Sequence, residues 1–438
     1  MNVPGPGTAS GGRRVLVIDG CRTPFLRSGT GFRDLTAYDL GRMALAGLLH
    51  RNPLDPAQVD LLVMGTVVAD PETSNVAREC GLAAGLPASC PAYTVTAACI
   101  SANVAFQDAA NAIATGAADV AIAGGTETLS DAPIRVSRPL RKRLIASRKI
   151  RGASAWLKLA KGLRLRDLAP DVPPIADFST GLTMGQNAER LVKRLGITRA
   201  DQDRYAMVSH QRAARATQLG WLAEQIVPAR VPPGFESVCE DNGIRGDTSV
   251  EKLAALKPAF DPRFGTITAG NSSYLTDGAS AVLLMSEDKA RELGIRPLAA
   301  VVGWCLTAMD PLEELLLGPA FAIPKVLERS GLRLDQMDVI ELHEAFAGQV
   351  LAVIELLGQD AFARERLGGE GAVGRIDPER MNAWGGSLSV GHPFGATGGR
   401  LVATCCRRLE REDGRYGLIA ACASGALGYA IVLERTVW

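Results

Sequence analysis

The chain has 438 residues, 47% of them hydrophobic and 22% charged, which is the composition of a soluble globular protein with two or more domains. Its net charge of +1 creates no overall field that would attract nucleic acid, so no nucleic-acid partner is predicted. The nine cysteines include no Cys-x-x-Cys pair, which indicates reduced thiols and argues against a disulfide framework or a zinc site.

The first residues and the hydropathy of the chain bear on its compartment. Residues 1–12 lack the apolar stretch of a signal peptide and are predicted to form a flexible tail. No apolar run elsewhere reaches the roughly 18 residues that a membrane span requires. Together with the reduced thiols, these observations predict a cytoplasmic protein without a bound metal.

Strand and helix signals alternate through the first part of the chain. Short apolar runs predict buried strands, and small-residue patterns with a helical period predict helices. The strands are predicted at residues 13–20, 59–68, 93–98 and 118–127, and the helices at 40–49 and 99–116.

A similar order returns from about residue 296. The strands are predicted at residues 297–306, 337–346, 381–391, 416–425 and 426–435, and the helices at 321–330 and 393–411. Local sequence repeats as well, since "ADVAIAGGTE" in the first part matches "YGLIAACASG" in the second. We interpret the chain as two copies of one α/β unit, each with a parallel sheet that helices cover on both faces.

A long insertion interrupts the first copy before its last strand. The predicted organisation is an N-terminal half at 13–128 plus 246–288, an inserted loop domain at 129–245, and a C-terminal half at 289–438. Residues 132–166 contain twelve Lys or Arg residues and no Asp or Glu, interleaved with apolar residues. Such a basic amphipathic segment suits an anionic membrane surface, a partner subunit or a polyphosphate ligand, although a solvated charged loop fits equally well.

Cys99 lies where a strand pattern gives way at once to a helix pattern. The first N–H groups of a helix are unpaired and favour negative charge, so this position predicts a thiol with a lowered pKa. The alternative is that Cys99 is an ordinary buried thiol, which is the commonest fate of a free cysteine.

Three further residues occupy places where local structure does not require them. His392 stands in a glycine-rich turn just before the predicted helix at 393–411. This helix corresponds, in the second copy, to the helix that begins at Cys99 in the first. If the copies pair about a pseudo-twofold axis, the two helix starts face each other and bring a neutral imidazole to the thiol. His343 and Cys422 lie at the carboxyl ends of predicted strands, where parallel sheets bind ligands. His50 and His210 have the pattern of surface or packing residues.

Four segments carry a resemblance to a known family. They are "TVTAACISAN" with Cys99, "HEAFAGQ" with His343, "NAWGGSLSVGHPFGATGGRLV" with His392, and "AACASGALG" with Cys422. In this order they resemble the four signature blocks of the thiolase family. Segments such as "GTITAGNSSYLTDGASA" are similar to the 3-ketoacyl-CoA thiolase β-subunits of trifunctional fatty-acid oxidation complexes. The resemblance implies the thiolase fold, which is an α/β fold of two duplicated halves in five αβαβα layers with an inserted loop domain.

The resemblance implies a role for each of these residues. Cys99 is implied to be the nucleophile that carries the acyl group as a thioester, and His392 the group that activates its thiol. Cys422 is implied to be a second acid/base, which moves a proton at the carbon α to the thioester. The backbone N–H groups of Cys99 and Ser424 are implied to form an oxyanion hole. Most thiolases have Asn where this chain has His343, and the β-subunit branch shares this histidine. His343 is implied to hold the water of the first oxyanion hole.

The implied reaction cleaves 3-ketoacyl-CoA with CoA to acyl-CoA and acetyl-CoA, or runs in reverse as a Claisen condensation. CoA is a co-substrate, and no tightly bound cofactor is implied. The implied CoA and substrate contacts are Met184, Arg245, Ala269, Ser273 and Phe346. The resemblance also implies a homodimer or homotetramer, and it admits a hydratase/dehydrogenase partner subunit and a peripheral membrane contact through residues 132–166.

Two other classes of function are compatible with parts of the pattern. A ketoacyl synthase that condenses with decarboxylation would also use one cysteine and two histidines on a duplicated fold, but it does not need a second cysteine in the last strand turn. A non-catalytic complex subunit or membrane-docking subunit would account for the basic insertion. The presence of Cys99, His392 and Cys422 together argues against that reading.

Overall fold

The computed structural model describes residues 12–148, 161–171 and 176–437. The predicted tail therefore lies outside the described residues except for residue 12, and so do residues 149–160 of the predicted basic segment. Among the described helices, none has both the length and the apolar character needed to cross a membrane.

The strands of the described ranges fall into one large sheet and two small ribbons. In chain order the strands are β1 (Val15–Arg22), β2 (Leu26–Arg27), β3 (Leu61–Gly65), β4 (Ala92–Val95), β5 (Val120–Glu127), β6 (Arg135–Val136), β7 (Pro170–Asp171), β8 (Ala229–Val231), β9 (Glu236–Val238), β10 (Thr276–Ser286), β11 (Ala299–Ala308), β12 (Val339–Leu342), β13 (Tyr416–Ala423) and β14 (Leu427–Arg435). Strands β6 and β7 form one ribbon, β8 and β9 form the other, and the remaining ten strands form the large sheet.

Helices follow or precede most strands of the large sheet. In chain order they are α1 (Ala37–Arg51), α2 (Val76–Ala83), α3 (Ser101–Ala114), α4 (Arg138–Ser147), α5 (Met184–Leu195), α6 (Arg199–Gln218), α7 (Val250–Ala254), α8 (Glu287–Leu293), α9 (Gly318–Ser330), α10 (Ala347–Leu357), α11 (Asp360–Phe362), α12 (Ser387–Val390) and α13 (Thr397–Arg411). Several begin at the side chains that favour helix starts; Thr36, for example, caps α1 through a reciprocal pair of hydrogen bonds with Asp39.

The strand order of the large sheet shows the predicted duplication. The order β4-β3-β5-β10-β1 in the first half is matched by β12-β13-β14-β11 in the second. An isolated parallel bridge between Ile340 and Met381 occupies the edge position that β4 holds in the first half. The halves join where β1 pairs with β11 over only two residue pairs. The predicted fold of two duplicated α/β halves is therefore confirmed.

The prediction of parallel sheets is wrong for most of the strand pairs. Only β3 with β4, β3 with β5, and β12 with β13 are parallel, whereas the other named pairs of the large sheet are antiparallel. Strands β13 and β14 show the reason, because residues 424–426 alone connect them. A parallel crossover needs a dozen or more residues. A link as short as this one therefore produces an antiparallel hairpin.

The strand predicted at residues 381–391 is also wrong. Apart from the bridge at Met381, this segment forms a turn followed by the short helix α12. Asn382 has φ 46° and Gly385 has φ 82°, and neither angle belongs to an extended strand. Apolar spacing alone did not reveal that turn.

Alternating strand residues divide the core into layers. In β13, Leu418 and Ala420 contribute to the core under α9 and α10, while Ile419 and Ala421 contribute to a middle core. The middle core contains residues of α3 and α13 together with strand residues of both halves. A third core lies between the first half-sheet and helices α1 and α2. The resulting order is helix, sheet, helix pair, sheet, helix.

Candidate active site

The Cys99 turn connects β4 to α3 at the edge of the first half-sheet. Ala98 has φ 49°, a left-handed conformation that a residue with a Cβ adopts at a cost. The Ser101 hydroxyl holds the turn, because it donates to the Ala98 carbonyl oxygen (2.7 Å) and accepts from the Ala97 N–H (2.9 Å). This geometry presents Cys99 half-buried between strand and helix.

The predicted lowering of the Cys99 pKa is wrong. Burial raises the pKa of the Cys99 thiol to about 12, and hydrogen bonds from the backbone N–H groups of Ser424 and Cys99 oppose that effect without overcoming it. Helix α3 begins only at Ser101, so Cys99 precedes the helix instead of opening it. The thiol therefore keeps its proton at neutral pH and needs a base to become a nucleophile.

Cys422 approaches Cys99 from the second half of the chain. It lies near the end of β13, is 1% exposed, and has its pKa raised by burial and by the proximity of Cys99. The following turn brings the Ser424 N–H to the Cys99 sulfur. The Gly425 N–H donates to Asp177 Oδ1 (3.2 Å), which ties this turn to the inserted segment. Two thiols and two backbone donors thus share one small volume.

His392 is buried in the turn before α13, and its two ring nitrogens differ. Its backbone N–H donates to the Thr276 hydroxyl (3.0 Å), and its Nδ1 lies 2.7 Å from the Thr397 hydroxyl. Thr397 donates its own proton to the Pro393 carbonyl oxygen (3.0 Å). Within the described residues, His392 Nε2 is buried without a hydrogen-bond partner.

His343 faces His392 immediately after β12. The ring centroids are 4.1 Å apart with a tilt of 45°. His343 Nδ1 contacts the Ser387 hydroxyl (2.9 Å), and among the described residues its buried Nε2 has no hydrogen-bond partner. Burial, and then the positive charge of Arg400, lower the pKa of His343 to about 3. Burial likewise holds the His392 pKa well below its usual value, so both rings are neutral at neutral pH.

Glu344 organises the turn around the histidines, and the sequence interpretation did not assign it a role. Its Oε1 accepts from the Tyr205 hydroxyl (2.8 Å) and from Asn382 Nδ2 (2.7 Å). Its Oε2 accepts from the Ser209 hydroxyl (2.9 Å) and the Leu388 N–H (3.1 Å). The available signal was its place in "HEAF", since an acidic residue in an apolar segment needs buried partners.

Glu127 links the Cys99 side of the site to the His392 side. Its carboxylate accepts from the N–H groups of Val67 (3.1 Å), Val68 (2.9 Å) and Gly395 (2.8 Å). Burial nevertheless raises the pKa of Glu127 to about 7, and its charge acts on Cys99. Glu127 was also absent from the predicted site residues.

The two helix starts lie against each other, as the duplication predicted. A Cβ added at Gly398, the second residue of α13, would lie 2.7 Å from the backbone N of Asn103 in α3. Only a glycine permits so close an approach. The face-to-face placement of the two helix starts is therefore confirmed.

Three of the predicted substrate contacts are linked through the segment that follows His343 and through Phe260. The Ser273 N–H donates to the Ala345 carbonyl oxygen (3.0 Å), which places residues 272–273 alongside Phe346. The Phe346 and Phe260 rings pack in a T-shaped arrangement with a centroid distance of 6.4 Å. Met184 begins α5, whose first turn packs against the Phe260 ring.

The other predicted contacts lie further out. Ala269 and Arg245 are exposed. The Arg245 N–H donates to Nδ1 of the buried His210 (3.2 Å), and no described contact joins Arg245 to His343. His210 is thus a packing residue, as predicted, with its pKa lowered to about 4 by burial.

Comparison with known families supports one assignment over nearly the whole chain. The family model described as "Thiolase, N-terminal domain" matches residues 15–288, and the one described as "Thiolase, C-terminal domain" matches residues 295–435. Together they cover both halves of the large sheet.

Named relatives agree with the family models. The chain is 48% identical to the Bos taurus "Trifunctional enzyme subunit beta, mitochondrial", over 96% of this chain and 88% of the relative. It is 44% identical to the "3-ketoacyl-CoA thiolase" of Yersinia pestis (strain Pestoides F), over 99% of this chain and 100% of the relative. Its structure matches that of human mitochondrial 3-ketoacyl-CoA thiolase with a TM-score of 0.81 and 31% identity, over 97% and 99% of the two chains. The chain therefore belongs to the thiolase family of acyltransferases.

Proposed function

We propose that this thiolase cleaves 3-ketoacyl-CoA with CoA, giving acetyl-CoA and an acyl-CoA shortened by two carbons, and that it also catalyses the reverse condensation. Three observations support the proposal: two thiols share the Cys99 turn with two backbone N–H donors, two neutral imidazoles face each other, and the helix starts that follow Cys99 and His392 pack together. Such a set matches a reaction that needs a covalent acyl carrier and a separate proton donor for carbon.

In the proposed first step, Cys99 attacks the 3-keto carbon. The thiol proton passes to Nε2 of His392, which has no hydrogen-bond partner among the described residues, and the new oxyanion lies at the N–H groups of Cys99 and Ser424. The bond between C2 and C3 then breaks, leaving the acyl group on Cys99 and an enolate on the CoA fragment. His343 and the protonated His392 hold the enolate oxygen, and Cys422 gives its proton to C2 to release acetyl-CoA.

In the proposed second step, the Cys422 thiolate takes the proton from the thiol of an incoming CoA. The CoA sulfur attacks the thioester on Cys99, and the oxyanion again lies at the N–H groups of Cys99 and Ser424. When the intermediate collapses, the Cys99 sulfur takes back the proton held by His392. All four protein groups then have their starting protonation states.

CoA reaches this site, in our proposal, along the path that starts at Met184 and passes Ser273 and Phe346. The contacts that join Ser273 to Ala345, residue 272 to Phe346, and both Phe346 and the first turn of α5 to Phe260 support this assignment. Ala269 and Arg245 are proposed as outer contacts, with Arg245 near the nucleotide end, because an exposed guanidinium suits phosphate. CoA is proposed as a co-substrate, with no tightly bound cofactor and no metal.

The activity is tested by thiolysis of 3-ketoacyl-CoAs from four carbons upward, with loss of substrate and formation of acetyl-CoA followed together. The same assay on a malonyl thioester separates this reaction from a decarboxylating condensation. Detection of acetyl-CoA-forming thiolysis with at least one chain length supports the proposal, and its absence at every chain length contradicts it.

Cys422→Ser separates the two roles proposed for the thiols. We expect mass spectrometry to show that the variant still acquires an acetyl group from acetyl-CoA. Its rate of thiolysis should fall about 10³-fold, because a serine hydroxyl is a far weaker acid than a thiol. Cys305→Ala, which changes a buried thiol on β11, is the matched control and should retain the activity. Near-normal thiolysis by Cys422→Ser would contradict the role of Cys422.

For partners, we propose a homodimer or homotetramer that also binds a hydratase/dehydrogenase subunit. This proposal is motivated by relatives that are named as subunits of a trifunctional enzyme. Sedimentation of the purified chain, alone and with a candidate partner, tests it. A monomer at micromolar concentration would contradict the oligomer.

A peripheral membrane contact is proposed for residues 132–166. Helix α4 has no buried residue, and Ile134, Ile145 and Leu165 are 65%, 63% and 88% exposed. Cosedimentation with vesicles containing anionic lipid, compared with neutral vesicles, tests this contact.

The cytoplasmic location also stays a proposal, for which fractionation of cells is the direct measurement.

A further inference from the structure

The positions of the His343 and His392 rings do not show which nitrogen of each ring carries the proton. Each ring uses Nδ1 for a hydroxyl group and leaves a buried Nε2 unpartnered among the described residues. A neutral imidazole has one nitrogen that donates and one that accepts. Which nitrogen carries the proton therefore decides whether each Nε2 offers a proton or a lone pair.

The hydrogen bonds of Thr397 favour one tautomer of His392. A threonine hydroxyl has a single proton, and Thr397 gives it to the Pro393 carbonyl oxygen (3.0 Å). With the hydroxyl proton in that bond, the contact with His392 Nδ1 (2.7 Å) is one in which Nδ1–H donates. His392 Nε2 therefore carries a lone pair and can act as a base.

The hydrogen bonds of Ser387 give His343 the opposite tautomer. The Ser387 oxygen accepts from Arg400 Nη2 (3.0 Å), and a guanidinium can only donate. The serine proton is then left for His343 Nδ1, 2.9 Å away, because no other acceptor contacts this hydroxyl among the described residues. Reversing the tautomer would leave the buried hydroxyl proton unpaired, which is unfavourable. His343 Nε2 therefore carries a proton.

Buried charges hold Arg400 in the orientation that this arrangement needs. Arg400 is 2% exposed, and its Nη1 lies 3.7 Å from Glu341 Oε2. Glu341 is fully buried and also pairs with Arg408 (2.8 Å). Because a buried arginine is costly without paired partners, this cluster gives the guanidinium little freedom to turn away from Ser387.

We propose that Ser387 and Arg400 are positioning residues that hold His343 as the Nε2–H tautomer, so that His343 donates where His392 accepts. The inference rests on the proposed function, because the donated proton is directed at the enolate oxygen of the reacting thioester. Two lone pairs facing that oxygen would repel it, whereas one donor and one base allow the thiol proton to move first and the oxyanion to be held next.

The proposal predicts which half-reaction depends on Ser387. Acylation of Cys99 by acetyl-CoA places its oxyanion at the N–H groups of Cys99 and Ser424, so it does not require His343 as a donor. Making or breaking the carbon–carbon bond passes through the enolate and does require it. Ser387→Ala should therefore lower the rate of the carbon–carbon step by about 10²-fold, the effect of losing one oxyanion donor, and leave acylation close to normal.

The tautomers can be read directly by ¹⁵N NMR of the full chain labelled at histidine. The chain has only four histidines, and the signals of His343 are assigned by their loss in His343→Asn. We expect a protonated Nε2 for His343 and a protonated Nδ1 for His392. In Ser387→Ala the His343 pattern should shift toward the other tautomer while that of His392 stays, and Ser387→Thr, which keeps the hydroxyl, should restore the first pattern.

Ser389→Ala is the matched control, because Ser389 is a buried serine of the same short helix whose hydroxyl bonds to Gly386 and Ser209 instead of a histidine. It should leave the His343 pattern unchanged. A protonated Nδ1 on His343 in the unmodified protein, or an unchanged pattern in Ser387→Ala, would overturn the proposal. The expected tautomers in a protein without thiolysis would instead overturn the proposed function and leave the tautomer assignment standing.

Discussion

The Cys99 turn and the His392 turn occupy equivalent places in the two halves of the chain, yet they are held in different ways. Residues 96–100 form the first turn, which depends on a left-handed backbone at Ala98 and one serine hydroxyl. Residues 382–396 form the second turn, which depends on buried side chains of several other segments. The comparison teaches that backbone geometry sets the position of the nucleophile, whereas distant side chains set the position of the imidazoles.

The largest expected effect comes from removing the reactive atom of the first turn. Cys99→Ala should reduce thiolysis by about 10⁴-fold or more and abolish the acetyl mass adduct formed with acetyl-CoA, because no other group can carry the acyl chain. Cys239→Ala, at an exposed thiol, is the control and should retain both. An adduct that survives in Cys99→Ala would place the nucleophile elsewhere.

Glu344→Gln tests the side-chain network of the second turn. The amide cannot accept all four hydrogen bonds that the carboxylate accepts, so buried donors lose their partner. We expect the free energy of unfolding to fall by about 3–5 kcal/mol, measured by urea denaturation. Glu355→Gln, at an exposed position on α10, is the matched control. A loss below about 1 kcal/mol would show that the turn does not depend on this network.

Glu127→Gln tests the link between the two turns through its pH dependence. The folded state raises the pKa of Glu127 from 4.5 to about 7, so it binds this proton more tightly than the unfolded chain does. Glu127 therefore adds stability at low pH, and about 3 kcal/mol is lost as the pH rises from about 4.5 through 7. Urea denaturation at several pH values should show this loss in the unmodified protein and a flatter profile in Glu127→Gln. An equal slope in both proteins would contradict the raised pKa, and exposed Glu292→Gln serves as the control.

The smallest effect is expected from Thr397→Val, which keeps the shape of the side chain and removes the hydroxyl that accepts from His392. The tautomer of His392 with a lone pair on Nε2 then loses a hydrogen bond that stabilises it by about 1–1.5 kcal/mol. Acylation of Cys99 should therefore slow about tenfold. Stopped-flow measurement of CoA release from acetyl-CoA follows this step. Thr404→Val, at a buried threonine of the same helix that bonds to Gln225, should leave the rate unchanged. Equal rates for both variants would show that Thr397 does not set the tautomer.

The sequence was informative where a reactive residue stood at an element boundary. Strand ends and glycine-rich turns led to Cys99, His343, His392 and Cys422, and the structure places each of them at such a boundary. The repeat of strands and helices also predicted the duplicated fold. These features are local in sequence, so a pattern of a few residues is enough to reveal them.

Other properties depend on contacts between distant segments and could not be read from one stretch of chain. The raised pKa of Cys99 follows from burial between the two halves, and the field of a helix that starts two residues later is too short-ranged to reverse it. Ser387 and Thr397 look like ordinary small residues until their hydroxyl partners are known. The turn at Asn382 likewise depends on its amide hydrogen bonds to β12.

The narrow pairing of β1 with β11 has a consequence for how the chain is assembled. Only two residue pairs connect the half-sheets, whereas α3 and α13 pack into one core that both halves line. A half prepared alone would therefore uncover an apolar face. The first half would hold the Cys99 thiol without His343 and His392, and the second would hold those two imidazoles without Cys99. Enzymatic turnover is thus a sensitive reporter of complete folding, since no partly assembled intermediate would contain the whole reactive set.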